Sequence, residues 1–137
     1  MPLHLDIVTP EKMVFSDSVD NVYLPGADGE LGVLPQHAGL VTALQPGELR
    51  YLHNDKVITL AIGSGFAEIT QTHVVVLTDM ALGEAEIDIA QAEAAIQRAR
   101  EDLHGVGHSL DAEEVAFLQG VIAKSTAAIN FKRRHQS

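Results

Sequence analysis

Residues Val74–Leu103 read VVVLTDMALGEAEIDIAQAEAAIQRAREDL, and the hydrophobic period changes within them. Val74–Thr78 is a short β-branched run of the kind that forms a strand. Past Gly83 the apolar residues Ile89, Ala92, Ile96, Ala99 and Leu103 recur at spacings of three, four, three and four, which is one stripe of an α-helix. Asp88 stands where a helix N-cap belongs, and Gln91, three residues on, suits the reciprocal place of a capping box. The change of period divides the chain into a β part, residues 1–84, and a helical part, residues 85–137.

Toward the N-terminus the strand pattern repeats. Leu3, Leu5 and Ile7 alternate with polar residues, and Thr9-Pro10-Glu11 makes the first turn. Val22 and Leu24 continue the style and end at Pro25-Gly26-Ala27-Asp28-Gly29. Pro46-Gly47 and Asn54-Asp55 punctuate the later segments, Val57–Ile62 is another β-branched run, and Gly63 and Gly65 read as bends between strands, which end near Met80. Short strands with frequent turn signals predict an antiparallel sandwich or barrel.

Toward the C-terminus, Gly105–Ser109 closes the first helix and Asp111 opens a second, with Glu114 in the boxed position. Its stripe is Val115, Leu118, Ile122, Ser125 and Ile129. So short a loop makes the helices antiparallel neighbours. The fold class is an all-β sandwich followed by an α-helical hairpin, a β + α chain of two domains. The second helix carries a further apolar stripe, Phe117, Val121, Ala128 and Phe131, which one hairpin partner cannot cover. Either the sandwich covers it, or this helix has another partner in another conformation. Gly120 and Ser125 also lower its intrinsic helicity.

A chain of 137 residues can bury enough surface to hold a core, and without cysteine it must do so unstapled. Nine Lys and Arg against nineteen Asp and Glu give a net charge of −10, which argues against nucleic acid and against adsorption to anionic lipid. The acid is unevenly placed: none follows Glu114, whereas Lys124, Lys132, Arg133 and Arg134 do. No apolar run approaches the roughly twenty residues of a spanning helix, and the start lacks the regions of a signal peptide, so a cytoplasmic chain without membrane insertion is expected.

No catalytic constellation stands out. Gly63-Ser64-Gly65 lacks the spacing of a nucleophile elbow, and Gly26, Gly29 and Gly32 lack the Lys-Ser/Thr of a phosphate loop. Of seven histidines, His104 and His108 stand at ligand spacing without a third ligand nearby. A binding or structural role remains, with neither metal nor cofactor required.

The run Pro25-Gly26-Ala27-Asp28-Gly29-Glu30-Leu31-Gly32-Val33-Leu34-Pro35-Gln36-His37-Ala38 resembles the signature segment of the epsilon subunits of bacterial F-type ATP synthases. Thr9-Pro10-Glu11, Pro46-Gly47-Glu48-Leu49-Arg50, Gly63-Ser64-Gly65-Phe66-Ala67-Glu68 and Glu86-Ile87-Asp88 extend the resemblance in order over nearly the whole chain. Gln36 and Gly39 depart from the glycine and proline usual there.

The resemblance implies a non-catalytic rotor subunit of the central stalk, on the cytoplasmic face of the inner membrane. Its sandwich would pack on the gamma subunit near His37 and meet the c-subunit ring through the Ala27–Gly32 turn, with Asp28, Gly29 and Glu30 at the contact. Its hairpin would brake ATP hydrolysis by extending into the alpha and beta subunits of the catalytic head, using Lys124, Lys132, Arg133, Arg134, Phe117 and Phe131. Some relatives hold ATP on the folded hairpin. Here Ile87, Asp88 and Arg98 match that site, but Gln91 replaces an arginine whose planar charged donors glutamine cannot supply, so ATP would be at most a weak regulatory ligand. The competing reading of the same residues is a free-standing β-sandwich binding module that dimerises through its hairpin.

Overall fold

The structure, a computed structural model, describes residues 3–33, 39–105 and 110–135. Ten strands come first: β1 (Leu3–Val8), β2 (Met13–Val19), β3 (Asn21–Gly26), β4 (Gly29–Val33), β5 (Leu40–Leu44), β6 (Gly47–His53), β7 (Lys56–Ile62), β8 (Gly65–Ile69), β9 (His73–Thr78) and β10 (Ala81–Leu82). A 3₁₀ turn, Glu84–Glu86, leads to helices α1 (Ile89–Leu103) and α2 (Ala112–His135). The β domain and the helical pair expected from the two periods are both present.

The strands hydrogen-bond in the order β10-β7-β6-β3-β5-β8-β9-β1-β2, with β4 attached to β3. All the described pairs are antiparallel except β1 with β9, which run parallel. The sheet folds over one core, in which Leu3, Leu5, Ile7, Leu24, Leu49, Ile62, Val74 and Val76 are fully buried. Alternation explains the choice: in β1 the odd residues are buried and the even ones half-buried.

The sheet turns its corner at β3. Residues Asn21–Tyr23 pair with β6, whereas Gly26 pairs with β5. Between them Pro25 has no N–H to give and its carbonyl accepts from the Gln45 N–H at 2.9 Å. A Cβ on Gly47 would lie 2.9 Å from the Cβ of Pro25, so the corner closes only over a glycine.

Three expectations need correcting. The turn in the signature segment is only Ala27–Asp28, because Gly29 takes φ 126° and reverses the chain at once; Gly29 and Glu30 already belong to β4, with Gly26 facing Gly29. Strand pairing continues past Met80, since Ala81 and Leu82 pair with Ile62 and Ala61 of β7. Gly65 is a strand residue rather than a bend, and the Leu77 carbonyl occupies the space a side chain there would need.

Both N-caps form, though without the reciprocal side-chain bond of a capping box among the described residues: Asp88 accepts from the Gln91 N–H at 3.1 Å, and Asp111 from the Glu114 N–H at 2.8 Å. α2 lies on β6 and β7, and α1 packs on α2. The second stripe of α2 is divided between the two explanations offered for it. Ala128 and Phe131 are buried against Ala61 and Ile87, beside Met80 and Leu82, while Phe117 is 70% exposed.

Two glycines provide a paired test. Gly65→Ala meets backbone that cannot move aside, and a loss of about 2 kcal/mol or more is expected in urea denaturation. Gly120→Ala, in α2 with open space around it, should gain about 0.5–1 kcal/mol in the same measurement.

Candidate functional site

The strand register assembles an apolar row on the outer face of the sheet. Ala43 faces Phe66, Phe66 faces Leu77, Leu77 faces Val8, and Val8 faces Met13, across β5, β8, β9, β1 and β2. Phe66 is 59% exposed, Leu77 and Met13 are also exposed, and Val8 is half-buried. The next row is mixed, running from Val41 through Glu68 and Val75 to Asp6 and Ser16. The face therefore grades from apolar to polar, and single scattered side chains do not account for a row five strands wide.

At its polar end the Ser16 hydroxyl donates to Asp6 at 2.6 Å, and His4 Nε2 stands 3.1 Å from the same carboxylate. The His4 and His73 rings, side by side in the parallel pair, have centroids 5.4 Å apart. The Ser16 bond is the main cause holding the Asp6 carboxyl below the ordinary aspartate range; partial burial opposes it, and the two histidines reinforce it. His4 Nε2 is near both the serine and the aspartate, so no relay runs from carboxylate through imidazole to hydroxyl. Among the described residues no group of three His, Cys, Asp or Glu could hold a metal ion.

The Ala27–Asp28 turn lies at the end of the β3–β4 hairpin. Glu30 is not free there: Arg50 donates to it at 2.9 Å, and the same guanidinium sits 4.7 Å from the centre of the Tyr23 ring. Of the turn acids proposed for a ring contact, Asp28 is the one that stands in the turn itself.

The basic end of α2 is engaged with the rest of the chain. Lys132 Nζ donates to the carbonyls of Ile87 at 2.8 Å and Glu84 at 3.2 Å. Arg134 and His135 converge on Glu48 of β6, each at 3.1 Å. Arg133 reaches Glu93 of α1 at 3.3 Å, and Lys124 stands 3.7 Å from Asp79. Phe131, buried, stacks against His135 at 4.5 Å between ring centres.

The β domain matches a known family. The family model described as "ATP synthase, Delta/Epsilon chain, beta-sandwich domain" matches residues 2–84. The ATP synthase epsilon chain of Desulforamulus reducens is 50% identical over 107 residues, covering 78% of this chain and 81% of that one. The chain belongs to the ATP synthase epsilon chain family. The epsilon chain of Dehalococcoides mccartyi is 42% identical over 135 residues, 97% of this chain and 96% of its own, so the likeness includes the helices. A solved Euglena gracilis mitochondrial ATP synthase contains a chain of the same fold, with TM-score 0.69 and 22% identity over 92% of this chain and 78% of that one. This epsilon chain is a non-catalytic subunit of ATP synthase, and the dimerising-module reading gives way to that one.

The residues matched to a nucleotide site are not gathered into one. Ile87 is buried with its carbonyl committed to Lys132, and Asp88 is committed to capping α1. Arg98 is exposed, ten residues further along the helix and about 15 Å away along its axis. The groove between the helices is lined by Glu93, Gln97, Arg100, Asn130 and Arg133 among others, and by none of those three. His37, expected near the gamma subunit, lies outside the described residues, as does His108.

The apolar row escaped the reading of the sequence because it exists only through register. One signal was present. Val74–Leu77 is apolar without alternation, and a strand apolar on both faces has something to cover on both. The partner of the basic tail on β6, Glu48, carried no such signal.

The Asp6 shift has a direct consequence for stability. A carboxyl depressed in the folded state stabilises above its unfolded value, and the contribution is lost as pH falls through the folded one. Asp6→Asn should lower the Tm at pH 7, and the gap from the parent chain should close in thermal melts as the pH is taken below the aspartate range.

Proposed function

We propose that this epsilon chain joins the rotor by its outer sheet face and restrains ATP hydrolysis by its hairpin. The observation that carries the first half is the row Ala43–Phe66–Leu77–Val8–Met13, which leaves an apolar strip facing water unless another subunit covers it. The gamma subunit is the partner assigned to it. The solved assembly with a chain of this fold is titled as containing F1 and a c-ring, and the Ala27–Asp28 turn, bearing an exposed carboxylate, is the assigned contact with the ring. The complex would then be peripheral on the cytoplasmic face of the membrane; among the described residues no helix is long and apolar enough to cross one.

The second half rests on the way the hairpin is docked. Only the C-terminal part of α2 has its second stripe covered, and Phe117 is left in solvent. A helix held at one end and apolar at the other suits an element that leaves the sandwich and finds burial in the alpha and beta subunits. Lys124, Lys132, Arg133 and Arg134 would then meet acidic side chains of the head, with Phe117 and Phe131 supplying apolar contact. ATP, if it binds the folded hairpin, acts here as a weak ligand.

Two experiments separate these parts. Phe66→Glu, on the exposed face, should leave the far-UV circular dichroism melt of the sandwich nearly unchanged and weaken gamma binding at least tenfold in calorimetry, since it buries a charge in an apolar contact. Undiminished binding would move the gamma contact elsewhere. Removing residues 85–137 should leave a folded sandwich that still assembles, while the reconstituted enzyme hydrolyses ATP faster than with the intact chain. An unchanged rate would make the hairpin structural only.

A further inference from the structure

The cations assigned to the catalytic head are already in use when the hairpin is folded. Lys132 is the least exposed of them, with its side chain at 20%, and it grips the two carbonyls at either end of the Glu84–Ile87 linker, with the Glu84 carboxylate 3.8 Å away. That linker is the segment whose backbone must rearrange for the hairpin to swing. Arg134 and His135 share one carboxylate, Glu48, whose side chain is 24% exposed and which belongs to the sandwich rather than to the hairpin. Beneath these polar contacts Phe131 fills the seam against Ala61 and Ile87.

We infer that Glu48, together with the linker carbonyls of Glu84 and Ile87, is a latch site for the basic end of α2, so that the braking cations are unavailable to the head until this site lets them go. The inference rests on the swinging-hairpin reading above and adds the sandwich residue that opposes the swing. The two sides of the latch then have opposite consequences. Neutralising Lys132 or Arg134 weakens the folded state and the grip on the head together, and the effects partly cancel. Changing Glu48 weakens the folded state alone.

The chain has no cysteine, so Lys56→Cys and Gln119→Cys, both at exposed positions, give a clean pair of spin-label sites on the sandwich and on α2. Distance distributions by electron double resonance would be compared for the full chain, Glu48→Gln and Glu48→Lys. Glu30→Gln, which breaks a pair internal to the sandwich, serves as the control. The ratio of open to folded hairpin should rise at least about threefold in Glu48→Gln and further in Glu48→Lys, with no change in the control. In the reconstituted ATP synthase the two Glu48 variants should hydrolyse ATP more slowly than the parent. Distributions unchanged in both Glu48 variants would overturn the latch, whatever the hydrolysis rates. Opening without slower hydrolysis, alongside a truncation that does not raise the rate, would leave the latch standing and remove the brake. Glu48→Gln, nearly isosteric, keeps the test available if Glu48→Lys does not fold.

Discussion

Strand β3 has more neighbours than a strand ordinarily has, and the molecule is arranged around that constraint. Its first half is paired to β6, its last residue to β5, and β4 pairs with it from Val22 to Gly26. The transfer from β6 to β5 happens at Pro25, which cannot donate, over Gly47, which has no side chain to obstruct it. Folding the sheet there buries one face of each half in a single core. It also decides what is left outside: β6 and β7 carry the helices, whereas β5, β8, β9 and β1 present the apolar row. The turn at the tip of the β3–β4 hairpin is held by the same strand. Three surfaces with different assignments are thus placed by one corner.

The attachment of the hairpin is weak by comparison with the sandwich core. Its apolar part is small, consisting mainly of Phe131 and Ala128 against Ala61 and Ile87, and burying a phenylalanine is worth about 1.5–3 kcal/mol. The ion pairs around it are half-exposed, and such pairs contribute about 0–1 kcal/mol each. A docking energy of a few kcal/mol is small enough that a competing surface of ordinary size would exceed it. Lys132 differs from the others in kind, because it bonds backbone carbonyls that a rearranged linker would no longer offer together.

Much of the fold was legible because its signals were local. The change of period past Gly83, the caps at Asp88 and Asp111, and the Asn54-Asp55 hairpin, where both residues take positive φ, each depend on a few neighbouring residues. Where reading fell short, the information was spread along the chain. Gly65 looks like a bend glycine until β9 is placed against it and the Leu77 carbonyl fills the space beside its Cα. Phe66, Leu77 and Met13 come from three separate segments, and nothing in any one of them shows that they share a row. Glu30 read as a free turn acid because its partner Arg50 is twenty residues away. The second stripe of α2 was visible, but how it is divided between sandwich and solvent depends on where the helix crosses β6 and β7.

The distribution of charge along α2 has a directional consequence. Glu113 and Glu114 occupy its first turn and Lys132, Arg133, Arg134 and His135 its last, over twenty-four residues or about 36 Å. Each sign sits where the helix end favours it, so the side chains oppose the backbone dipole of about half a charge at each end and outweigh it. The helix is therefore an elongated electric dipole, and in a non-uniform field such a body turns before it moves. A cavity lined with carboxylates would pull the C-terminal end inward and push the N-terminal end back. Entry would be polarised, with the last residues of α2 leading and the loop between the helices trailing.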